Sequence, residues 1–125
     1  MRDYETVRAV LASLASKGGA VGYGAFRPIP DDDGVKVELE RLDRDRLIKS
    51  SISFLDGRGA CLGGKAEITD EGREFYRLIE NDDVWRLVSQ TLDAAAVDVP
   101  YPLLRDVCEE IVKRYVTSFI PEIGN

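Results

Sequence analysis

The residues with the clearest chemical potential are the basic side chains in the middle of the chain. Residues 41–65 contain six basic and three acidic side chains, a balance of +3, whereas residues 1–40 carry −2 and residues 66–125 carry −7. The whole chain of 125 residues has a net charge of −6. Such an acidic protein does not coat nucleic acid indiscriminately, but a local basic stretch can contact phosphates. The middle of the chain is therefore the candidate phosphate-binding region.

No constellation of residues indicates catalysis. The sequence has no histidine, which removes the commonest general base and the usual partner of a serine or cysteine nucleophile. Cys61 and Cys108 lie 47 positions apart in apolar surroundings, so we expect two buried thiols and no metal site. Glu109 and Glu110 are neighbours on a predicted helix, where adjacent side chains diverge and do not share a proton. We expect no enzymatic activity and no cofactor.

Two further motifs favour loops over binding sites. The run Asp31-Asp32-Asp33 lacks the spaced oxygen ligands and the terminal glutamate of a calcium loop, and it predicts a solvated turn. Residues 18–34 contain five glycines and two prolines without the spacing of a phosphate-binding Walker loop. This composition predicts a long glycine-rich loop, with at most a short extended piece from Tyr23 to Phe26.

The spacing of apolar residues predicts the helices that flank and contain the basic stretch. Residues 4–16 have helical spacing and end before Gly18-Gly19. Residues 37–42 fit a short helical turn or a strand, and we favour the turn. Residues 43–56 predict a helix that is capped by Asp43 and ends at Gly57 and Gly59.

The second half of the chain predicts a hairpin followed by three helices. Gly63-Gly64 can supply the positive φ angles of a tight turn, so residues 60–68 predict a hairpin. Thr69 is suited to cap a helix whose first turn is acidic. A break at residues 81–83 begins another helix, and a last helix with a wide apolar stripe follows Pro100 and Pro102.

The order of these elements resembles winged-helix proteins. In that fold a Leu-Thr-x-x-Gly-x-x-Phe/Leu pattern often leads from the wing into the next helix, and residues 68–75 read Ile-Thr-Asp-Glu-Gly-Arg-Glu-Phe. The stretch through Trp85 and the apolar last helix is similar to an uncharacterised family of small bacterial and prophage proteins. This resemblance covers the opening helix and residues 66–119, and it departs in the loop of residues 18–34. It implies an α+β, mainly helical, winged helix-turn-helix fold with a small hairpin wing and extra C-terminal helices.

The resemblance supports the fold more than any activity, and no residue role is carried over from the uncharacterised family. From the winged-helix arrangement and the basic side chains we expect a non-enzymatic DNA-binding transcriptional regulator. In a winged helix the helix before the wing enters the major groove, which makes residues 43–56 the reading helix and residues 60–68 the wing. The alternative for the basic residues is a solvated helix face whose bases are neutralised by Asp43, Asp45 and Asp56. The candidate nucleic-acid contacts are Arg44, Arg46, Lys49, Ser50, Arg58 and Lys65.

The last helix has more apolar surface than an exposed terminal helix needs. It either covers the chain's own core or contacts a second copy, through Leu104, Val107, Ile111 and Tyr115. We expect one domain over residues 1–125, with a winged-helix core in residues 1–80 and a helical extension in residues 83–120.

The rival function is an acidic protein-binding module of phage or mobile-element type, such as an antitoxin or an inhibitor of a host defence complex. The acidic C-terminal half would complement a basic partner. We expect a cytoplasmic protein, because the chain has no long apolar run and its N-terminus does not resemble a signal peptide.

Overall fold

A computed structural model describes residues 2–120 of the chain. It is α+β and mainly helical, which confirms the expected fold class at this level. The helices are α1 (Tyr4–Ala15), α2 (Asp32–Arg44), α3 (Asp70–Ile79), α4 (Asp82–Ala95) and α5 (Tyr101–Thr117). The strands are β1 (Ile48–Ser50), β2 (Ser53–Phe54), β3 (Cys61–Gly63) and β4 (Ala66–Ile68). Within the described range, no helix is long and apolar enough to cross a membrane.

The chain divides into two compact units, residues 3–76 and residues 77–120 with Arg2. In the first unit α1 packs against α2 and β4, and α2 packs against β1. Its core contains Val10, Leu11, Leu42 and Ile48, each almost fully buried. In the second unit α4 packs against α5. The expectation that the whole chain forms one domain stays a prediction.

The strands form one antiparallel ribbon that runs from residue 48 to residue 68, which we call the ribbon. β1 pairs with β4 at its base, and β2 pairs with β3 nearer its tip. Backbone hydrogen bonds from Ser51 to Lys65 (2.9 Å) and from Leu55 to Ala60 (2.9 Å) join the two parts and close the tip. Val21 extends the base as a third, single-residue strand because it exchanges two hydrogen bonds with Ala66.

Two predictions in this region were wrong. Residues 43–56 do not form a helix, because α2 ends at Arg44 and Arg46 has a left-handed φ of 65° that turns the chain into β1. The hairpin does not turn at Gly63-Gly64 but between residues 55 and 60, and both glycines lie in the body of the ribbon. A side chain at Gly64, where φ is +99°, would overlap the Ser51 carbonyl.

The glycine-rich segment also contains more structure than its composition predicted. Residues 23–26 form a short 3-10 turn rather than an extended piece. Asp31-Asp32-Asp33 is exposed, but it forms the start of a helix rather than a turn, because the Asp31 side chain accepts a hydrogen bond from the Gly34 amide and caps α2. Residues 37–42, predicted as a helical turn, lie within α2.

The remaining helices agree with their sequence patterns. The Thr69 hydroxyl accepts a hydrogen bond from the Gly72 amide (3.0 Å), which places it as the cap of α3. The Asn81 side chain accepts hydrogen bonds from the amides of Asp83 and Val84 and caps α4. Pro100 and Pro102 stand at the start of α5. The first N–H groups of a helix have no acceptor within it, so the N–H that proline lacks costs no helical hydrogen bond there.

Candidate functional site: the groove between α2 and the ribbon tip

A groove of about 370 Å³ lies between the exposed face of α2 and the tip of the ribbon. Helical spacing places residues 33, 36, 37, 40, 41 and 44 along one side of it, and Gly57 and Arg58 form the other. Its charged side chains are the four cations of Lys36, Arg41, Arg44 and Arg58 and the two carboxylates of Asp33 and Glu40. The lining therefore has a charge of +2 on a chain whose net charge is −6.

Lys36 holds the ribbon tip against α2. Its ammonium group donates hydrogen bonds to the carbonyl oxygens of Arg58 and Gly59, each at 2.9 Å. It also pairs with the Asp32 carboxylate at 3.2 Å and lies 5.2 Å from the centre of the Phe54 ring. The Lys36 side chain is only 11% exposed. Because its charge is used within the protein, Lys36 positions the groove and is not free to bind a ligand.

An aromatic contact supports the same junction from the other side. The Tyr23 ring meets the Phe54 ring edge-on, with centroids 5.0 Å apart, and the Tyr23 hydroxyl hydrogen-bonds the Asp32 carboxylate. Burial, together with the hydrogen bond to Asp32, raises the pKa of Tyr23 well above its ordinary value. The same hydrogen bond, with that of Lys36, lowers the pKa of Asp32. At neutral pH the pair is therefore a protonated phenol on an ionised carboxylate.

The three arginines of the groove differ in how strongly they are held. Arg41 pairs at 3.5 Å with Glu38, whose carboxylate is buried. Arg44 pairs at 2.9 Å with Glu40, and both side chains are at least 70% exposed. Within residues 2–120 the Arg58 guanidinium has no ion-pair partner. Arg44 and Arg58 are thus the cations most available to an anionic ligand.

The structure divides the predicted nucleic-acid contacts among several places. Arg44 and Arg58 line the groove, and Ser50 lines a neighbouring cleft of about 310 Å³ between α2 and the ribbon. Arg46 is exposed in the turn after α2, where its carbonyl accepts a hydrogen bond from the Thr69 hydroxyl at 2.8 Å.

The two remaining predicted contacts, Lys49 and Lys65, lie outside the groove. Both are exposed on the ribbon, and Lys49 lies directly opposite Glu67. The six candidate residues are therefore distributed over the groove, the neighbouring cleft, the turn after α2 and the exposed ribbon.

Sequence reasoning missed Lys36 and Arg41 as groove residues. The available signal was the spacing of opposite charges at i,i+4 in Asp32/Lys36 and Glu40/Arg44, which is typical of a helix surface. Combined with an N-terminal aspartate cap, this spacing extends a helix over residues 32–44.

The residues predicted to contact a partner are distributed over both sides of α5. Leu104 is 2% exposed and packs inside its own chain, and Val107 is half-buried. Ile111 and Tyr115 line an open groove of about 600 Å³ between α4 and α5. The Tyr115 hydroxyl donates a hydrogen bond to Asp83 across this helix pair at 3.3 Å.

The two cysteines differ in environment. Cys108 is buried, and burial raises its pKa to about 12. Cys61 is exposed on β3 rather than buried, so the prediction for this residue was wrong. The described residues contain no group of three or more histidine, cysteine or acidic side chains arranged to hold a metal ion.

Comparison with known proteins identifies no relative. No protein-family model matches the chain, and neither a curated protein nor a solved structure shows significant similarity to it.

Proposed function

We propose that residues 3–76 are a winged-helix DNA-binding module of a transcriptional regulator. The order α1, the single strand residue Val21, a short 3-10 turn, α2, the ribbon and α3 supports this assignment. In such a module α2 is the reading helix, because it directly precedes the ribbon, and the ribbon is the wing. The proposal moves the reading helix from residues 43–56 to residues 32–44.

The observation that carries the proposal is the charge of the groove between α2 and the ribbon tip. A wing and a reading helix flank the DNA backbone, so the space between them is where phosphates approach. In this protein that space is lined by four cations and two carboxylates. The excess of positive charge lies where phosphate contacts are needed, although the chain as a whole is acidic.

The acidic start of α2 determines which part of the helix faces DNA. Asp31, Asp32 and Asp33 occupy the N-cap and the first turn, and their charges repel phosphates. Arg41 and Arg44 occupy the last turn. We therefore propose that the C-terminal half of α2 and the ribbon tip make the contacts, in contrast to reading helices that insert their N-terminal residues.

The number of cations fixes the expected strength and salt dependence of binding. Arg41, Arg44 and Arg58 provide about three phosphate contacts per chain, because Lys36 is used internally. Each neutralised phosphate contributes roughly −0.9 to the slope of log K against log salt. A fourfold rise in salt concentration should therefore weaken binding by about 40-fold.

Fluorescence anisotropy with a pool of labelled genomic DNA fragments tests the proposal at two salt concentrations. The test variant is Arg44→Ala/Arg58→Ala, which removes two cations from the groove. The matched control is Lys49→Ala/Lys65→Ala, which removes the same charge from the exposed face of the ribbon. Salt-sensitive binding that is lost in the first variant and largely kept in the second supports the proposal. Absence of binding at low salt, or equal losses in both variants, refutes it.

A second candidate function is binding to a basic protein. The observation that favours it is the exposure of the carboxylates of Asp70, Glu71 and Glu74 on α3. Electrostatic complementarity would attract a basic surface to this helix. This function is supported if the chain does not bind DNA at low salt but does bind a basic protein. The Glu71→Lys/Glu74→Lys variant should then lose the binding to that protein.

A further inference from the structure

Glu40 is an acidic side chain in the half of α2 that is proposed to face DNA. It lines both the groove at the ribbon tip and the neighbouring cleft, and its side chain is 75% exposed. Arg41 and Arg44 lie beside it in the last turn of the helix. A carboxylate at this place repels phosphates and weakens binding that is independent of sequence. On DNA it is stabilised only if a hydrogen-bond donor replaces the water that it loses.

The structure leaves the Glu40 carboxylate able to accept further hydrogen bonds. Its Oε1 atom accepts a hydrogen bond from the Arg44 guanidinium at 2.9 Å. Among the described residues, no donor reaches its Oε2 atom. Arg44 can exchange Glu40 for a phosphate, because an ion pair between two exposed side chains of a helix is weak. Both oxygens of Glu40 then need a donor from the DNA.

The major groove of DNA offers such donors from only two bases. Guanine presents the acceptors N7 and O6, and thymine presents the acceptor O4 and a methyl group, so neither can donate to a carboxylate. Adenine donates from N6 but places the acceptor N7 beside it, whereas cytosine donates from N4 and has no acceptor of its own at this edge. Cytosine is therefore the base that a carboxylate fits best.

We propose that Glu40 selects cytosine, by accepting a hydrogen bond from its N4 amino group in the major groove while the arginines of the groove hold the adjacent phosphates. The inference rests on the proposed DNA binding and adds to it a residue that determines the sequence bound. Asp33, the other carboxylate of the groove, belongs to the acidic first turn of α2, outside the half of the helix that is proposed to contact DNA. Asp33 therefore provides a matched control.

Selection from a pool of DNA duplexes with a randomised segment, followed by sequencing of the bound fraction, tests the proposal. The wild-type chain should enrich a motif with one position that requires cytosine. Glu40→Gln should change the preference at this position to adenine, because an amide pairs with N6 and N7 of adenine. Glu40→Ala should select no base there. Asp33→Asn makes the same charge change as Glu40→Gln within the groove and should still select cytosine.

Fluorescence anisotropy with the selected duplex measures the size of the effect. Replacing the selected C·G pair by T·A should weaken binding of the wild-type chain by about 5-fold or more, and should change binding of Glu40→Ala by less than about 2-fold. Because Glu40 is exposed, its variants should keep the circular dichroism spectrum of the wild type.

The outcomes separate this inference from the proposed function. Salt-dependent DNA binding without a position that requires cytosine overturns the inference and leaves the proposed function standing. The same holds if Glu40→Ala or Glu40→Gln still selects cytosine, or if Asp33→Asn loses the cytosine as Glu40→Ala does. A wild-type chain that binds no DNA at low salt overturns both.

Discussion

Substitution of Gly72 tests how closely α3 packs against the base of the ribbon. It lies in the first turn of α3 and is buried. A Cβ atom at this position would overlap the carbonyl oxygen of Leu47 and would lie 2.8 Å from Cγ1 of Ile68. The Leu47 carbonyl cannot move freely, because it accepts a hydrogen bond from the Thr69 amide at 3.0 Å. Gly72→Ala must therefore displace α3 from the ribbon.

Two opposing effects determine the expected free energy change for Gly72→Ala. Alanine is favoured over glycine inside a helix by about 1 kcal/mol. Overpacking in a well-packed interior costs about 1–3 kcal/mol, and overlap with a backbone atom belongs at or above the upper end of that range. The steric effect is larger, so we expect the free energy of unfolding to fall by roughly 2 kcal/mol.

Urea denaturation followed by circular dichroism measures this change. The matched control is Gly24→Ala, since a Cβ atom at Gly24 has no heavy atom within 4 Å. The free energy of unfolding of this control should stay within about 0.5 kcal/mol of the wild-type value. If Gly72→Ala stabilises the protein, or behaves like the control, the close packing of α3 on Leu47 is refuted.

Two other predictions concern ionisable groups. The exposed thiol of Cys61 should react rapidly with a disulfide reagent at pH 8. The thiol of Cys108 should react only after denaturation, because burial raises its pKa to about 12. Rapid reaction of two thiols per chain would contradict this prediction. The pKa of Asp32 is lowered by the hydrogen bonds from Tyr23 and Lys36. Its stabilising contribution is therefore complete above its unfolded pKa of about 3.9 and is lost as pH falls through the lower folded pKa. Asp32→Asn should reduce this acid destabilisation in urea titrations between about pH 2 and pH 5, and an unchanged pH profile would contradict it.

The sequence was sufficient where a helix combines regular apolar spacing with a clear cap. In α1 the spacing of Val7, Val10, Leu11 and Leu14 matches one buried face. The cap of α3, Thr69, stands where the pattern placed it, and α4 begins within the predicted break at residues 81–83. Here local preference and tertiary packing favour the same structure, so a pattern of residue types is enough.

The same reasoning failed for residues 43–56, because apolar spacing alone does not distinguish a short helix from a ribbon. Leu47 and Ile48 are both buried, Ile52 is half-buried and Leu55 is exposed. Burial thus decreases toward the tip of the ribbon, because the strands contact the core only at the base of the ribbon. The decisive features were the left-handed Arg46 and the pairing of β1 with β4. The paired residues of β1 and β4 lie 16 to 20 positions apart in the sequence, and a local pattern does not contain such a pairing.

The candidate site could not be derived from charge counting for a related reason. The sum over residues 41–65 treated every cation as equivalent, whereas the structure gives them different roles. Exposed helix ion pairs such as Arg44–Glu40 contribute roughly 0.3–0.5 kcal/mol, so exchanging Glu40 for a phosphate costs little. Lys36 is held by two carbonyl oxygens and a carboxylate, and its removal would release the ribbon tip. The groove thus combines one cation that maintains its shape with arginines that are held more weakly. The proposed DNA binding therefore predicts that only the arginines contribute to its salt dependence.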